Sequence, residues 1–221
     1  MEKAINIGDY ILFGTYNEEP IIWRIINKDD DGDLLLWSEY IISYKAFDGA
    51  GFLFGFTSKE KRSIKQVNHK VLLAEMDKEN ADGGRELHKY EYGDPKEAMT
   101  NYDIAFYENL KDKVFLLSIQ ELTDYVHDRE YDYKKTMTQE ALNKNQFYNE
   151  RIDGETDWYW FRTPSTSCGA TVRDMGGYGF ITDAGVSTDS LGVVPALYIY
   201  VSSLQSLSGQ GTKENPYISK E

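Results

Sequence analysis

Two runs of large apolar residues, "IIWRII" (Ile21–Ile26) and "LLLWS" (Leu34–Ser38), stand either side of "NKDDDGD". Each run is too short for a stable helix and carries the large apolar side chains that fit a pleated surface. An Asp-Gly turn between such runs reads as a β-hairpin. An earlier run, "YILFG" (Tyr10–Gly14), is set off by the turn-formers "TYNEEP". The chain therefore opens in strands, and its fold must be built around a sheet.

The acidic turn also invites a metal reading. Asn27, Asp29 and Asp31 alternate, Gly32 is sixth and Leu34 eighth, as in a calcium loop. The twelfth position should supply a bidentate glutamate, but it is Ser38, with Glu39 one place late. Helices should flank such a loop, and strands are expected instead. The turn is read as a hairpin turn, and no metal ligands are assigned.

The far end of the chain mirrors the start. "DWYWFRTPS" (Asp157–Ser165) is followed by "ATVRDM", a Gly176–Gly177 turn, "YGFIT", an Asp-Ala-Gly turn and "GVVPALYIYV" (Gly192–Val201). Glycines at these spacings permit tight hairpins. Alternation sends Trp158 and Trp160 to one face of a strand and Tyr159 and Phe161 to the other. Arg162, hemmed by aromatics, requires a carboxylate or several backbone carbonyls, and Pro164 closes the strand. Trp158, Trp160, Arg162 and Pro164 are accordingly assigned structural roles.

Between the two strand blocks, residues 56–150 read as helical. "TSKE" (Thr57–Glu60) is a capping box, and Ile64, Val67 and Val71 follow at helical spacing, predicting a helix to about Met76. Asn80–Glu97 is expected as a loop. "VFLLS" (Val114–Ser118) is a strand, and "SIQE" opens a second capped helix carrying Leu122 and Tyr125. Strands at both ends with helices between describe an α+β domain over residues 1–202, its termini joined in one mixed or antiparallel sheet. Residues 203–221 are expected as a tail or linker.

These blocks resemble a family of uncharacterised bacterial domains. In that family a "W-W-L-R-S-P-G" segment precedes "G-V-R-P-A-L", here "WYWFRTPS" and "GVVPAL". The opening "IGDYILFGTY…PIIWRII" and the central "KVFLLSIQEL" match in the same order. The resemblance implies a fold distantly similar to C-type-lectin-like domains, including the formylglycine-generating-enzyme branch. Two departures stand out. A "W-x-N-S-x-L-R-x-W-L-N" helix is missing near "FLFGFTSKEKRSI", and Val194 stands where the family carries arginine.

Chemistry is bounded by what the 221 residues hold. A formal charge of −13 would repel a phosphate backbone, which argues against nucleic acid. No apolar run approaches the roughly 18 residues of a membrane span, and the N-terminus lacks a signal-peptide core, so a cytoplasmic chain is expected unless a leader was removed. Cys168 is the only cysteine, and His69, His88 and His127 carry no catalytic or zinc motif. The paired-cysteine copper chemistry of formylglycine-generating enzymes cannot be carried over, and the calcium-lectin triplets are absent. No catalytic residue and no cofactor are assigned.

The remaining candidate is the polar, glycine-rich surface of the last hairpins. Arg173, Asp174, Tyr178, Thr182, Asp183, Thr188 and Asp189 are the expected ligand-binding residues. The chain is thus read as a non-enzymatic domain recognising a protein or glycan. The alternatives are an enzyme or enzyme relic on the formylglycine-generating fold, and a structural assembly module.

Overall fold

A computed structural model describes residues 4–47, 54–89, 102–144, 155–165 and 169–219. All five residues of β3 (Leu34–Ser38) are buried. Leu34 and Leu36 enter one apolar cluster, while Leu35 and Trp37 enter another. A strand covered on both faces reads as an unbroken apolar run, which accounts for "LLLWS". On one side β3 pairs with β2 (Glu19–Lys28), which pairs with β1 (Tyr10–Tyr16). On the other it pairs with β14 (Pro195–Ile199). Two short strands, β5 (Ile64–Lys65) and β9 (Val114–Leu116), also pair with β14, and every pairing is antiparallel.

A second sheet runs in the order β12 (Ile181–Gly185), β11 (Thr171–Met175), β10 (Tyr159–Pro164), β13 (Gly192–Val193), β4 (Ser43–Tyr44). Only β10 and β13 are parallel. The chain crosses from this sheet to the first at Val194, which is buried in the larger apolar cluster. An arginine there would need a buried partner. Gly192, two residues earlier, donates its N–H to the Trp158 carbonyl at 2.8 Å, and a Cβ would stand 2.8 Å from that same oxygen. A third, antiparallel sheet places β8 (Tyr102–Asp112) between β6 (Val67–Leu73) and β7 (Arg85–Lys89).

This architecture overturns the α+β, C-type-lectin-like expectation. The chain is mostly β-sheet, in several sheets. Among the described residues α-helix is confined to α1 (Ser58–Ser63), α2 (Ile119–Tyr125) and α3 (Gln139–Lys144). The middle block is the main correction. Thr57 and Glu60 do form a capping box, but α1 ends at Ser63 and Ile64 enters the first sheet. Val67, His69, Val71 and Leu73 also satisfy a period of two, and seven consecutive pairs with β8 decide for strand. Arg85–Lys89, expected within a loop, is β7; residues 90–97 of that loop lie outside the described residues.

One further segment differs from expectation. After Ser202 the chain returns to β1, where Tyr10 N–H meets the Gly211 carbonyl and Leu12 N–H the Tyr217 carbonyl, each at 2.8 Å. Tyr217 is buried beside Trp23, Ile25 and Leu36, so this segment packs as part of the first sheet's core. The acidic turn holds an internal cation. Lys65 Nζ, on β5, lies 2.7, 3.1 and 2.8 Å from carboxylate oxygens of Asp29, Asp31 and Asp33.

Candidate functional site

The last hairpins are shaped by two glycine reversals. Gly176 N–H donates to the Phe180 carbonyl at 2.6 Å, and Gly179, at φ +91°, donates to Gly176 at 2.7 Å. Tyr159, Met175 and Ile181 pair across β10, β11 and β12 and all enter the core. The next row, Trp158, Gly176 and Phe180, therefore points the other way. Trp158 is 40% exposed, Phe180 47%, and Tyr178 at the turn 89%. The indole lies over the glycines: a Cβ on Gly176 would stand 3.8 Å from Trp158 Cε2, and one on Gly177 3.4 Å from Cδ1. The missing side chains let the indole pack onto the turn, giving a shelf of three exposed aromatic side chains, Trp158, Tyr178 and Phe180.

The expected ligand residues divide around this shelf. Tyr178 and Asp189 are exposed, and Thr182, Asp183 and Thr188 are half-buried. Arg173 and Asp174 are buried, because β11 is covered by neighbours on both edges and both faces. Arg173 donates to Ser165 Oγ at 3.2 Å and lies 3.7 Å from the Asp183 carboxylate. Asp174 accepts from the Thr182 hydroxyl at 2.8 Å, and its Oδ2 has no hydrogen-bond partner. Burial pushes the Asp174 carboxyl up to about 6, with Asp183 adding to the rise and Thr182 and Arg173 opposing it. Both side chains are buried and engaged with neighbours within the sheet.

The residues assigned structural roles also part company. Trp160 is buried, its indole N–H donating to the Lys45 carbonyl at 2.9 Å and its ring edge-on to Phe47 at 5.7 Å. Pro164 pairs with Val172 beyond a register shift at the end of β10. Trp158 is instead half-open to solvent. Cys168 lies outside the described residues.

Arg162 leads to a second region that the sequence reading missed. Its Nη1 donates to the Leu116 carbonyl at 2.6 Å and to Glu121 Oε2 at 2.5 Å. Glu121 is the third residue of its capping box and also accepts the Ser118 N–H at 2.9 Å. Burial pushes the Glu121 carboxyl up, but Arg162 and these hydrogen bonds more than offset it and hold it below the usual range. The Arg162 guanidinium lies 5.5 Å from the centre of the Phe115 ring, and His69 packs edge-on against that ring at 4.9 Å. His69 Nε2 is 3.3 Å from Asp112 Oδ2 without hydrogen-bond geometry. Burial, then the Arg162 charge, hold the imidazole below its ordinary value and so neutral near pH 7. A cavity of about 360 Å³ opens here, lined in part by His69, Ile119, Tyr125, Arg162 and Thr163. The only trace of it in the sequence is the "SIQE" box, whose glutamate does two jobs.

A third cluster is buried and closed. Lys135 Nζ sits 3.7 Å over the Trp37 ring and 3.6 Å from Glu39 Oε2, which Arg24 approaches at 3.4 Å. Burial brings the Lys135 amine down to about 7, with Arg24 lowering it further and Glu39 opposing. At 2% exposure this amine is closed off from solvent. The Asp29, Asp31, Asp33 cluster is already filled by Lys65. Among the described residues no helix is long and apolar enough to cross a membrane.

No curated protein and no solved structure matches the chain. A family model described as a domain of unknown function, DUF6273, matches residues 26–201, which take in β3 through β14 and both regions described above. On that match, covering most of its length, the chain belongs to the DUF6273 family.

Proposed function

We propose that this chain is a non-catalytic recognition domain whose ligand is a glycan, bound on the C-terminal hairpins. The observation that carries the reading is this shelf, the Trp158 indole packed over Gly176 and Gly177, with Tyr178 and Phe180 exposed in the same hairpin. Aromatic faces receive the apolar face of a sugar ring, and the half-buried Thr182, on the same strand face as Phe180, offers a hydroxyl. A protein partner of standard affinity would need roughly 800 Å² from each side, which three aromatic side chains do not supply.

The test is a glycan array followed by calorimetry with Trp158→Ala. Binding to defined saccharides that falls at least about tenfold in the variant supports the reading. Capture of a protein partner with no glycan bound would replace the ligand class, and loss of neither on Trp158→Ala would overturn the site.

A further inference from the structure

Strands β2 and β3 part beyond the bond from the Glu39 N–H to the Ile22 carbonyl, at 2.9 Å. A cavity of about 290 Å³ opens there, between the start of β2, the chain leaving β3, and Met137–Gln139 at the entry to α3. Ligand pockets start at roughly 300 Å³, so a small molecule is the right size. Pro20 is exposed and Ile22 half-buried on its wall, and the buried Ile42 and Met137 add apolar lining.

The polar groups of the lining are not equally open. The Tyr16 hydroxyl donates to Ser43 Oγ at 3.2 Å and the Ser38 hydroxyl to the Tyr40 carbonyl at 2.7 Å, so both are engaged within the fold. Glu19 is the one ionised side chain among the described lining residues. Its Oε2 accepts the Glu140 N–H at 3.2 Å, next to Thr138 and Gln139 of the lining. Its Oε1 has no partner among the described residues, and it is not closed off from solvent. A ligand can therefore reach it.

The surrounding charges say what kind of ligand. Glu18 is exposed next to Glu19 in the chain, and Glu140 lines an adjoining recess with Tyr16 and Ile42. On the Tyr40 side, Lys213 lies 4.7 Å from the ring centre but is bound to Glu39 at 2.9 Å. Arg24 and Lys135 face the same Glu39 carboxylate at 3.4 and 3.6 Å, and none of these three cations lines the cavity. An ammonium at Glu19 gains a charge-assisted hydrogen bond, whereas a carboxylate there is repelled.

We infer that this cavity binds a small primary ammonium with an apolar body, of the arylalkylamine class, its charge on Glu19 Oε1 and its body against Pro20 and Ile22. The inference is independent of glycan binding on the hairpins.

Titration of the full chain with benzylamine, benzyl alcohol and benzoate, followed by amide chemical shifts and calorimetry, tests it. Benzylamine is expected to bind at least about tenfold more tightly than either of the others. Glu19→Gln keeps an acceptor for the Glu140 N–H and should weaken benzylamine about tenfold, erasing its advantage over the alcohol. Glu18→Gln, outside the lining, and Trp158→Ala should leave the affinity unchanged. No saturable benzylamine binding, equal binding of the alcohol or benzoate, or full affinity in Glu19→Gln would each overturn the assignment. So would an equal loss in Glu18→Gln, which would mark attraction to the acidic surface at large. Ile22→Trp, at a position outside the apolar clusters, should fill the cavity and abolish binding, and it decides the matter if Glu19→Gln does not fold.

Discussion

Arg162 and Glu121 meet at 2.5 Å across 41 residues of sequence, joining the middle strand region of the second sheet to the capped helix α2. The pair is mostly buried, at 11% and 20% side-chain exposure. Removing one member strands the other's charge in a poorly hydrated place. Arg162→Ala is therefore expected to destabilise the fold by about 3 kcal/mol in urea unfolding. Arg162→Lys should recover part of that loss, because the charge survives while the bond to the Leu116 carbonyl weakens. An unchanged unfolding midpoint for Arg162→Ala would mean that Glu121 is satisfied by its capping bonds alone.

Asp174 gives the fold a pH dependence of unusual sign. Its carboxyl is raised from 3.8 to about 6, so the folded state holds the proton more tightly than the unfolded chain does. The stabilisation it contributes is fully present below the unfolded value and is lost as pH rises through the folded one. The cost at neutral pH is about 3 kcal/mol. Asp174→Asn, which keeps the acceptor for Thr182, should melt at a higher temperature than the parent at pH 7.5, with the gap closing below pH 4. A constant gap across that range would locate the effect in packing.

Lys65 stands where a metal would stand in an acidic loop. Asp29 is held below the usual carboxylate range: burial raises it, but the Lys65 ammonium and backbone N–H groups win. Lys65→Met should leave three carboxylates facing one another and lower stability at pH 7, with recovery on acidification as they protonate. Millimolar calcium should raise the melting temperature of the variant and leave the parent unmoved. Equal calcium responses in the two proteins would show that the lysine does not occupy the site.

Truncation after Leu204 tests the return of the chain to β1. The lost segment carries the backbone bonds to Tyr10 and Leu12 and the buried Tyr217 ring. Large-to-small loss of a buried aromatic costs about 3–5 kcal/mol, so the shortened chain should be markedly less stable or unable to fold at 37 °C. A truncated protein with the parent's melting temperature would make the segment a dispensable strap.

How much of this was legible in the residues depends on where the information lay. The β2–β3 hairpin and both capping boxes are local, and "IIWRII", "TSKE" and "SIQE" declare them. The same locality misled at residues 64–73. Ile64, Val67 and Val71 sit at helical spacing, yet Val67, His69, Val71 and Leu73 alternate equally well, and only the partner strand β8 breaks the tie. The shelf was half visible. Tyr178 and the glycines mark it, but whether Trp158 faced core or water turned on what covered its face, a tertiary fact. Arg173 and Asp174 look like ligand groups in "ATVRDM" and are buried because their strand has neighbours on both sides. The cavity at Arg162 draws its walls from four distant elements, and no local pattern announces it.

The position of β14 has a consequence for how the protein is made. This strand supplies edges for β3, β5 and β9, yet it begins at Pro195, near the end of the chain. During synthesis the first three strands must wait with β3's far edge unpaired and its apolar faces open. Loop closure over such separations is slow, and exposed edges of this kind aggregate. The acidic surface, a net −13, supplies mutual repulsion between waiting chains during that interval. Expression should accordingly be far more sensitive to damage at Ala196–Ile199 than to changes anywhere on the hairpin shelf.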